Sequence, residues 1–104
     1  MGIFSFLRFG NSSLKKALKE GAVVIDVRTA SEFDRGKVPG SINIPVDRIS
    51  INVERIKAMN RPVVLVCASG HRSGNALKIL KAEGLKEVYN GGSWEHIVRL
   101  SKSL

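Results

Sequence analysis

Two patterns of hydrophobic and polar positions alternate along the chain. Apolar runs at 22–27, interrupted by Asp26, and at 63–66 have the β-branched composition of strands that are buried on both faces. Segments with apolar residues three and four positions apart, typical of amphipathic helices, precede and follow these runs. Strands that alternate with helices indicate an α/β domain. We therefore predict a single domain with a central, mainly parallel sheet of four to five strands flanked by helices.

Local residue types predict where several elements begin and end. Ser12 or Ser13 can cap the first helix, and residues 29–32 have the Thr-x-x-Glu form of a capping box. A helix is expected to run from Ser73 after the second buried run. The paired glycines at 91–92 are typical of a flexible turn, so we expect the last strand to end before them.

The candidate chemistry lies between the second buried run and the following helix. A tight loop from a strand end into a helix start turns its N–H groups inward and forms an anion site. The helix N-terminus and a nearby arginine both favour the thiolate of Cys67, the only cysteine of the chain. We expect Cys67 to be a nucleophile whose negative adduct is held by the residues of the loop: Ala68, Ser69, Gly70, His71, Arg72 and Ser73.

The spacing of the loop separates the candidate adducts. Cysteine phosphatases use a Cys-x5-Arg loop, which is wide enough for a tetrahedral phosphate. Cys67 and Arg72 form the shorter Cys-x4-Arg, and a smaller cradle is better matched to a single extra sulfur atom. This loop resembles the active-site loop of the rhodanese family of sulfurtransferases.

Three other segments extend the resemblance over most of the chain. Residues 26–33, with Asp-Val-Arg followed by Glu-Phe, and residues 36–45 are similar to the first signature of the rhodanese family. Residues 84–92 are similar to its closing segment. The order and spacing of these matches imply a rhodanese-like domain over residues 13–104, preceded by an apolar tail or edge segment at residues 1–12.

The resemblance implies a thiosulfate-type sulfurtransferase. Cys67 would take the outer sulfur of a small anionic donor as a persulfide and pass it to cyanide, a thiol or a protein cysteine. Asp26 and Arg28 are expected to support the site as scaffold, with Asp26 placed to brace Arg72. Trp94 is expected to form a pocket wall or part of the core, although it comes sooner after the paired glycines than in the family pattern.

Two other functions stay open. Rhodanese-like domains can also serve as non-enzymatic sulfur carriers or regulatory modules that dock on a partner protein. A cysteine phosphatase or an arsenate reductase is the remaining alternative. The short loop argues against both enzymes, and the lack of a second cysteine argues further against a reductase.

Composition restricts the partners and the compartment. The chain of 104 residues has one cysteine, which excludes an intramolecular disulfide and fits a reducing, cytoplasmic compartment. The two histidines are too isolated to predict a metal site, and nothing in the sequence predicts an organic cofactor. The apolar amino end is too short to span a bilayer. We predict a monomer that has no more than a weak membrane contact.

The net charge of +8 raises the question of nucleic-acid binding. The lysines and arginines are scattered along the chain, with no run of five and no alternation with aromatic residues. We therefore expect no nucleic-acid partner. A positive field of this kind instead attracts small anionic substrates or acidic partner proteins.

Overall fold

Helices and strands alternate in the computed structural model, which describes residues 10–104. The expected apolar tail or edge segment falls largely on residues 1–9, which lie outside the described residues. In chain order the elements are α1 (Asn11–Lys19), β1 (Val23–Asp26), α2 (Ala30–Arg35), β2 (Ile42–Asn43), α3 (Val53–Met59), β3 (Val63–Cys67), α4 (His71–Ala82), β4 (Val88–Ser93) and α5 (Trp94–Ser101). Two short 3-10 turns, Val46–Arg48 and Ser50–Asn52, join β2 to α3.

The four strands of the described region form one parallel sheet in the order β2-β1-β3-β4. Every residue of β1 and of the central strand β3 is buried. Parallel strands covered on both faces need continuous apolar sequences, which explains the two apolar runs. The sheet confirms the predicted α/β fold. No helix in residues 10–104 has the length and apolar character needed to cross a membrane.

The helices cover both faces of the sheet and create two apolar layers. On one face, Ile56 of α3 and Leu80 of α4 belong to the cluster that contains Leu65. On the other face, Ile97 of α5 belongs to the cluster that contains Val64. Because all strands run in the same direction, their carboxyl ends lie at one edge of the sheet. That edge carries the end of β1 and the end of β3, where ligands bind in open α/β sheets.

The first helix begins earlier than the sequence suggests. α1 starts at Asn11, and its N-cap residue is Gly10, which has no side chain to cap it. Ser12 and Ser13 lie inside the helix, so the prediction that one of them caps it was wrong. The expected division between residues 12 and 13 falls within α1.

The paired glycines belong to β4, and the prediction of a flexible turn there was wrong. Gly92 pairs with Val66 of β3, and Gly91 is the extra residue at the register shift that precedes this pair. A Cβ atom at Gly91 would lie 2.8 Å from Val64 Cγ1 and 3.1 Å from Ile97 Cδ1. Glycine is needed here because α5 packs closely on the sheet. Local turn propensity cannot reveal this requirement, which comes from residues of two other elements.

Candidate active site

The predicted nucleophile is the last residue of β3. Cys67 has no exposed surface, and residues 68–70 turn the chain from the strand into α4. Gly70 makes this turn with a φ of 99°, in the left-handed region that side chains disfavour. α4 begins at His71, two residues before the predicted start. This earlier start places Ser73 in the first turn of α4, where backbone N–H groups have no partner within the helix.

Donors of the loop converge on the sulfur of Cys67. The N–H of Gly70 donates to Sγ at 2.9 Å, and the N–H of Ser73 donates at 3.4 Å. The hydroxyl oxygen of Ser73 lies 3.4 Å from Sγ. A hydrogen bond from the backbone N–H of Ser69 also stabilises negative charge on the sulfur. Backbone donors held in fixed positions favour a negative sulfur because they need no reorganisation when the charge develops.

The pKa of Cys67 reflects a balance of opposing effects. Burial has the largest single effect and raises the pKa, because a thiolate is poorly solvated inside the protein. The hydrogen bonds from the side chain and N–H of Ser73, and from the N–H groups of Ser69 and Gly70, lower it. Together these bonds outweigh burial, so the pKa of Cys67 lies below its usual value. The site therefore favours the reactive thiolate.

Arg72 binds a carboxylate, but not the one that the sequence suggested. Its two terminal nitrogens donate to Glu32, with Nη1–Oε1 at 2.8 Å and Nη2–Oε2 at 3.0 Å. Asp26 was expected to brace Arg72, and that expectation was wrong because Arg28 occupies the Asp26 carboxylate. The same Glu32 completes the predicted capping box of α2 with Thr29. Glu32 thus ties the start of α2 to the start of α4.

Asp26 and Arg28 form a buried ion pair below the loop. Arg28 Nε donates to Asp26 Oδ1 at 2.9 Å, and Nη2 donates to Oδ2 at 2.7 Å. Arg28 Nη2 also donates to the carbonyl oxygen of Gly36 at 2.6 Å. Arg28 reaches Glu32 only at its backbone carbonyl, at 3.3 Å. The guanidinium lies 5.0 Å from the ring centroid of Trp94. These contacts join β1, α2 and α5.

The remaining residues of the predicted site occupy different positions. Ala68, Ser69 and His71 are exposed on the loop and at the start of α4. Of the two placements expected for Trp94, the structure shows core packing. Its side chain packs against the cluster on the α1 and α5 face. The predicted site residues therefore form two groups: Cys67 with the loop residues 68–73, and the supporting residues Asp26, Arg28 and Trp94.

An open groove of about 1400 Å³ runs beside the loop. Ser69, Gly70 and His71 are among the residues that line it, and Lys78 and Arg99 contribute positive charge. No aspartate or glutamate of the described chain lines it. The groove therefore offers anions a path to the loop that is lined by positive charge and, within residues 10–104, by no carboxylate.

Sequence analysis missed Asn90. This residue of β4 is 6% exposed and accepts the Ser73 hydroxyl at 2.7 Å through Oδ1. Its Nδ2 donates to the carbonyl oxygen of Gly70 at 3.2 Å. The N–H of Gly92 donates to the same Oδ1 at 3.0 Å. The only signal in the sequence is a polar residue directly before the paired glycines.

The contact between Glu32 and Arg72 predicts a pH-dependent stability. Hydrogen bonds from Arg72, and then from the Thr29 N–H, lower the pKa of Glu32 from 4.5 to about 2. A carboxyl with a lowered pKa stabilises the fold above its ordinary pKa and loses this contribution as the pH falls through the lowered value. From pH 4.5 down to about 2, we therefore expect the free energy of unfolding to fall more steeply in the wild type than in Glu32→Gln.

Denaturant unfolding at a series of pH values measures this difference. Asp34→Asn is the matched control, because Asp34 is an exposed carboxylate on the same helix. It is expected to leave the slope close to that of the wild type. Equal slopes for Glu32→Gln and the wild type would contradict the role given to the Glu32 carboxylate.

Comparisons with known proteins agree with this geometry. The model of the rhodanese-like domain family matches residues 11–98. The thiosulfate sulfurtransferase GlpE of Pseudomonas savastanoi pv. phaseolicola is 33% identical over 76 residues, which cover 72% of this chain and 71% of GlpE. A solved structure described as a rhodanese with anions from E. coli superposes with a TM-score of 0.67 at 30% identity, covering 73% of this chain and 91% of that one.

Some relatives are longer than this chain. Protein YqhL of Bacillus subtilis (strain 168) is 38% identical over 69 residues, which are 66% of this chain and 54% of YqhL. A second relative from that organism is matched over 38% of its length. The chain thus spans about half or less of these two proteins.

Fold, loop and sequence similarity lead to the same assignment. The parallel sheet carries a cysteine at the end of a central strand, and a short loop connects it to a helix. The family match includes the whole sheet and the whole loop. The chain belongs to the rhodanese-like domain family.

Proposed function

We propose that this protein is a sulfurtransferase that carries sulfane sulfur on Cys67, from a thiosulfate-type donor to a thiophilic acceptor. The observation that carries this proposal is the set of donors around the Cys67 sulfur. The N–H groups of Gly70 and Ser73 point at Sγ from the loop and from the first turn of α4. These groups favour negative charge on Sγ in the thiolate, which is the form that attacks the donor.

The reaction needs two transfers and no external oxidant. The Cys67 thiolate attacks the outer sulfur of thiosulfate, and the S–S bond of the donor breaks. Sulfite leaves with the electron pair, and Cys67 becomes a persulfide. An acceptor such as cyanide then attacks the outer sulfur, thiocyanate leaves, and the Cys67 thiolate returns. A protein cysteine or a small thiol takes the same place as cyanide.

The loop has to move before a donor reaches the sulfur. Cys67 has no exposed surface, and the groove is lined by Ser69 and Gly70 of the loop but not by Cys67. In this proposal, residues 68–70 move outward to admit the donor. Lys78 and Arg99 attract the anionic donor to the groove. Arg72 is held by Glu32, so we assign it the bracing of the loop rather than contact with the transferred sulfur.

The tightness of the loop also supports sulfur transfer over phosphoryl transfer. The Gly70 N–H lies 2.9 Å from Sγ itself, so the donors surround the sulfur rather than a larger group beyond it. A phosphate bound to Sγ would need donors placed around its three outer oxygens. We therefore expect no hydrolysis of p-nitrophenyl phosphate that depends on Cys67.

Steady-state sulfur transfer from thiosulfate to cyanide tests this proposal, with thiocyanate as the measured product. We expect parallel double-reciprocal lines when both substrates are varied, because the donor product leaves before the acceptor reacts. Lines that intersect would argue against a persulfide intermediate. No thiocyanate from folded, reduced protein would contradict catalysis with small donors.

The closed loop favours a second candidate, a sulfur carrier or docking module. A sulfur atom with no exposed surface is accessible only after the loop opens, and a partner protein is able to supply the binding energy for that opening. This candidate predicts slow turnover with thiosulfate and cyanide but rapid sulfur exchange with a specific acidic partner protein. Rapid turnover with both small substrates would exclude it as the main role.

A further inference from the structure

The hydroxyl hydrogen of Ser73 has two acceptors within reach. Ser73 Oγ lies 2.7 Å from Asn90 Oδ1 and 3.4 Å from Cys67 Sγ. A hydroxyl donates only one hydrogen bond, and the shorter contact assigns that hydrogen to Asn90. While Cys67 is a thiol, its S–H is therefore the donor to Ser73 Oγ. In this state the hydrogen bonds run in one direction, from Cys67 through Ser73 to Asn90.

Loss of the thiol proton changes this direction. The S–H bond breaks, the proton passes to solvent, and the thiolate keeps the electron pair. A thiolate has no hydrogen to donate and accepts hydrogen bonds strongly, so the Ser73 hydroxyl turns from Asn90 Oδ1 towards Sγ. Asn90 Oδ1 keeps the Gly92 N–H at 3.0 Å and is not left without a partner. The turn therefore costs no buried, unsatisfied oxygen.

We propose that Asn90 is a positioning residue that controls the Ser73 hydroxyl and, through it, the charge state of the Cys67 sulfur. Three hydrogen bonds fix the Asn90 side chain, which is 6% exposed. One of these bonds holds the carbonyl of Gly70, the residue whose N–H donates to Sγ at 2.9 Å. Asn90 thus acts on two of the sulfur's donors. Its catalytic use rests on the proposed sulfur transfer, but its effect on the thiol does not.

Other ionisable groups surround this network and stay unchanged when Asn90 is replaced. Two ion pairs lie beside it, Arg72 with Glu32 and Arg28 with Asp26. The remaining ionisable side chains on the nearby turns of α4, on β4 and on α5 are His71, Lys78, Tyr89, Glu95, His96 and Arg99. A shift in the Cys67 titration that appears only when Asn90 changes therefore arises at position 90 and not from these groups.

Asn90→Asp tests the proposal with little change in side-chain size. The new carboxylate accepts the Ser73 hydroxyl more strongly than an amide oxygen and does not donate to Gly70. Both changes weaken the hydrogen bonds that stabilise the thiolate form of Cys67. We expect the pH midpoint of Cys67 alkylation by iodoacetamide to rise, and each unit of rise slows alkylation about tenfold below the midpoint. The rate recovers at high pH. An unchanged midpoint would overturn the proposal.

Two matched variants separate the network from the added charge. Asn75→Asp places the same charge on an exposed position of α4, and a smaller shift is expected. In a Ser73→Ala background, the shift caused by Asn90→Asp is expected to shrink, because the hydroxyl is missing and only the added charge and the lost bond to Gly70 remain. Equal shifts with and without the hydroxyl would overturn the route through Ser73.

A measurement on the wild-type chain avoids any buried substitution. The side-chain amide NMR signals of Asn90 should move with the same pH midpoint as Cys67 alkylation, because Oδ1 loses the Ser73 hydrogen when the thiolate forms. Asn52, whose amide donates to Arg48 on a 3-10 turn, is the control and should not follow this midpoint. Asn90 signals that stay constant through the midpoint would overturn the proposal. Since neither readout involves sulfur transfer, an inactive protein with these shifts would refute only the proposed function.

Discussion

Replacement of Cys67 by serine is expected to abolish sulfur transfer from thiosulfate to cyanide. Serine preserves the size of the side chain and its contact with Ser73, but its hydroxyl is not ionised near neutral pH and forms no persulfide. Loss of a covalent nucleophile removes the whole two-step route, so we expect a decrease of at least about a thousand-fold in turnover.

The fold should survive this change. Cys67 is fully buried, and serine leaves the loop donors with an oxygen acceptor in nearly the same place. The variant should therefore keep the circular dichroism spectrum of the wild type. Ser69→Ala is the matched control, since it removes an exposed loop hydroxyl and keeps the backbone N–H. Cysteine-independent thiocyanate formation, at a rate near that of the wild type, would show that another group carries the sulfur.

The largest loss of stability is expected for Arg28→Leu. The Asp26 carboxylate has no exposed surface, and the guanidinium supplies all three of the hydrogen bonds that it accepts from side chains. Removing one partner of a buried ion pair leaves an uncompensated charge, which costs about 3–5 kcal/mol. Domains have only about 5–15 kcal/mol of unfolding free energy in total. Denaturant unfolding should therefore show a large decrease in the midpoint.

Two further variants check that the cost comes from the stranded carboxylate. The double variant Asp26→Leu with Arg28→Leu removes both charges and should be more stable than Arg28→Leu alone. Arg35→Leu, an exposed arginine at the end of α2, should change the unfolding free energy little. If Arg28→Leu cost no more than Arg35→Leu, the ion pair would have no role in holding the site together.

Elements with a local cause could be predicted from the sequence. The run at 63–66 is apolar without interruption because β3 is covered on both faces, and this requirement is visible in the residues themselves. The capping box of Thr29 and Glu32 spans only four residues, so its two halves could be recognised together. The loop after Cys67 was predictable for the same reason, because strand, glycine and helix follow one another directly.

Contacts between distant residues could not be predicted in the same way. Asp26 and Glu32 both lie near the end of β1, and the sequence does not say which carboxylate meets Arg72. The answer depends on Arg28, whose guanidinium occupies Asp26 and leaves Glu32 for Arg72. Asn90 was missed because its role requires knowing that β4 lies beside β3. Such choices are made by tertiary packing.

Intact-protein mass spectrometry after incubation with thiosulfate tests the central claim most directly. The account predicts a gain of one sulfur atom in the wild type, located on Cys67 by peptide mapping. Addition of cyanide should remove it and release thiocyanate. The Cys67→Ser variant, treated in parallel, should gain no mass. A wild-type protein that forms thiocyanate while Cys67 stays unmodified, even when cyanide is withheld, would contradict the claim that this cysteine carries the sulfur.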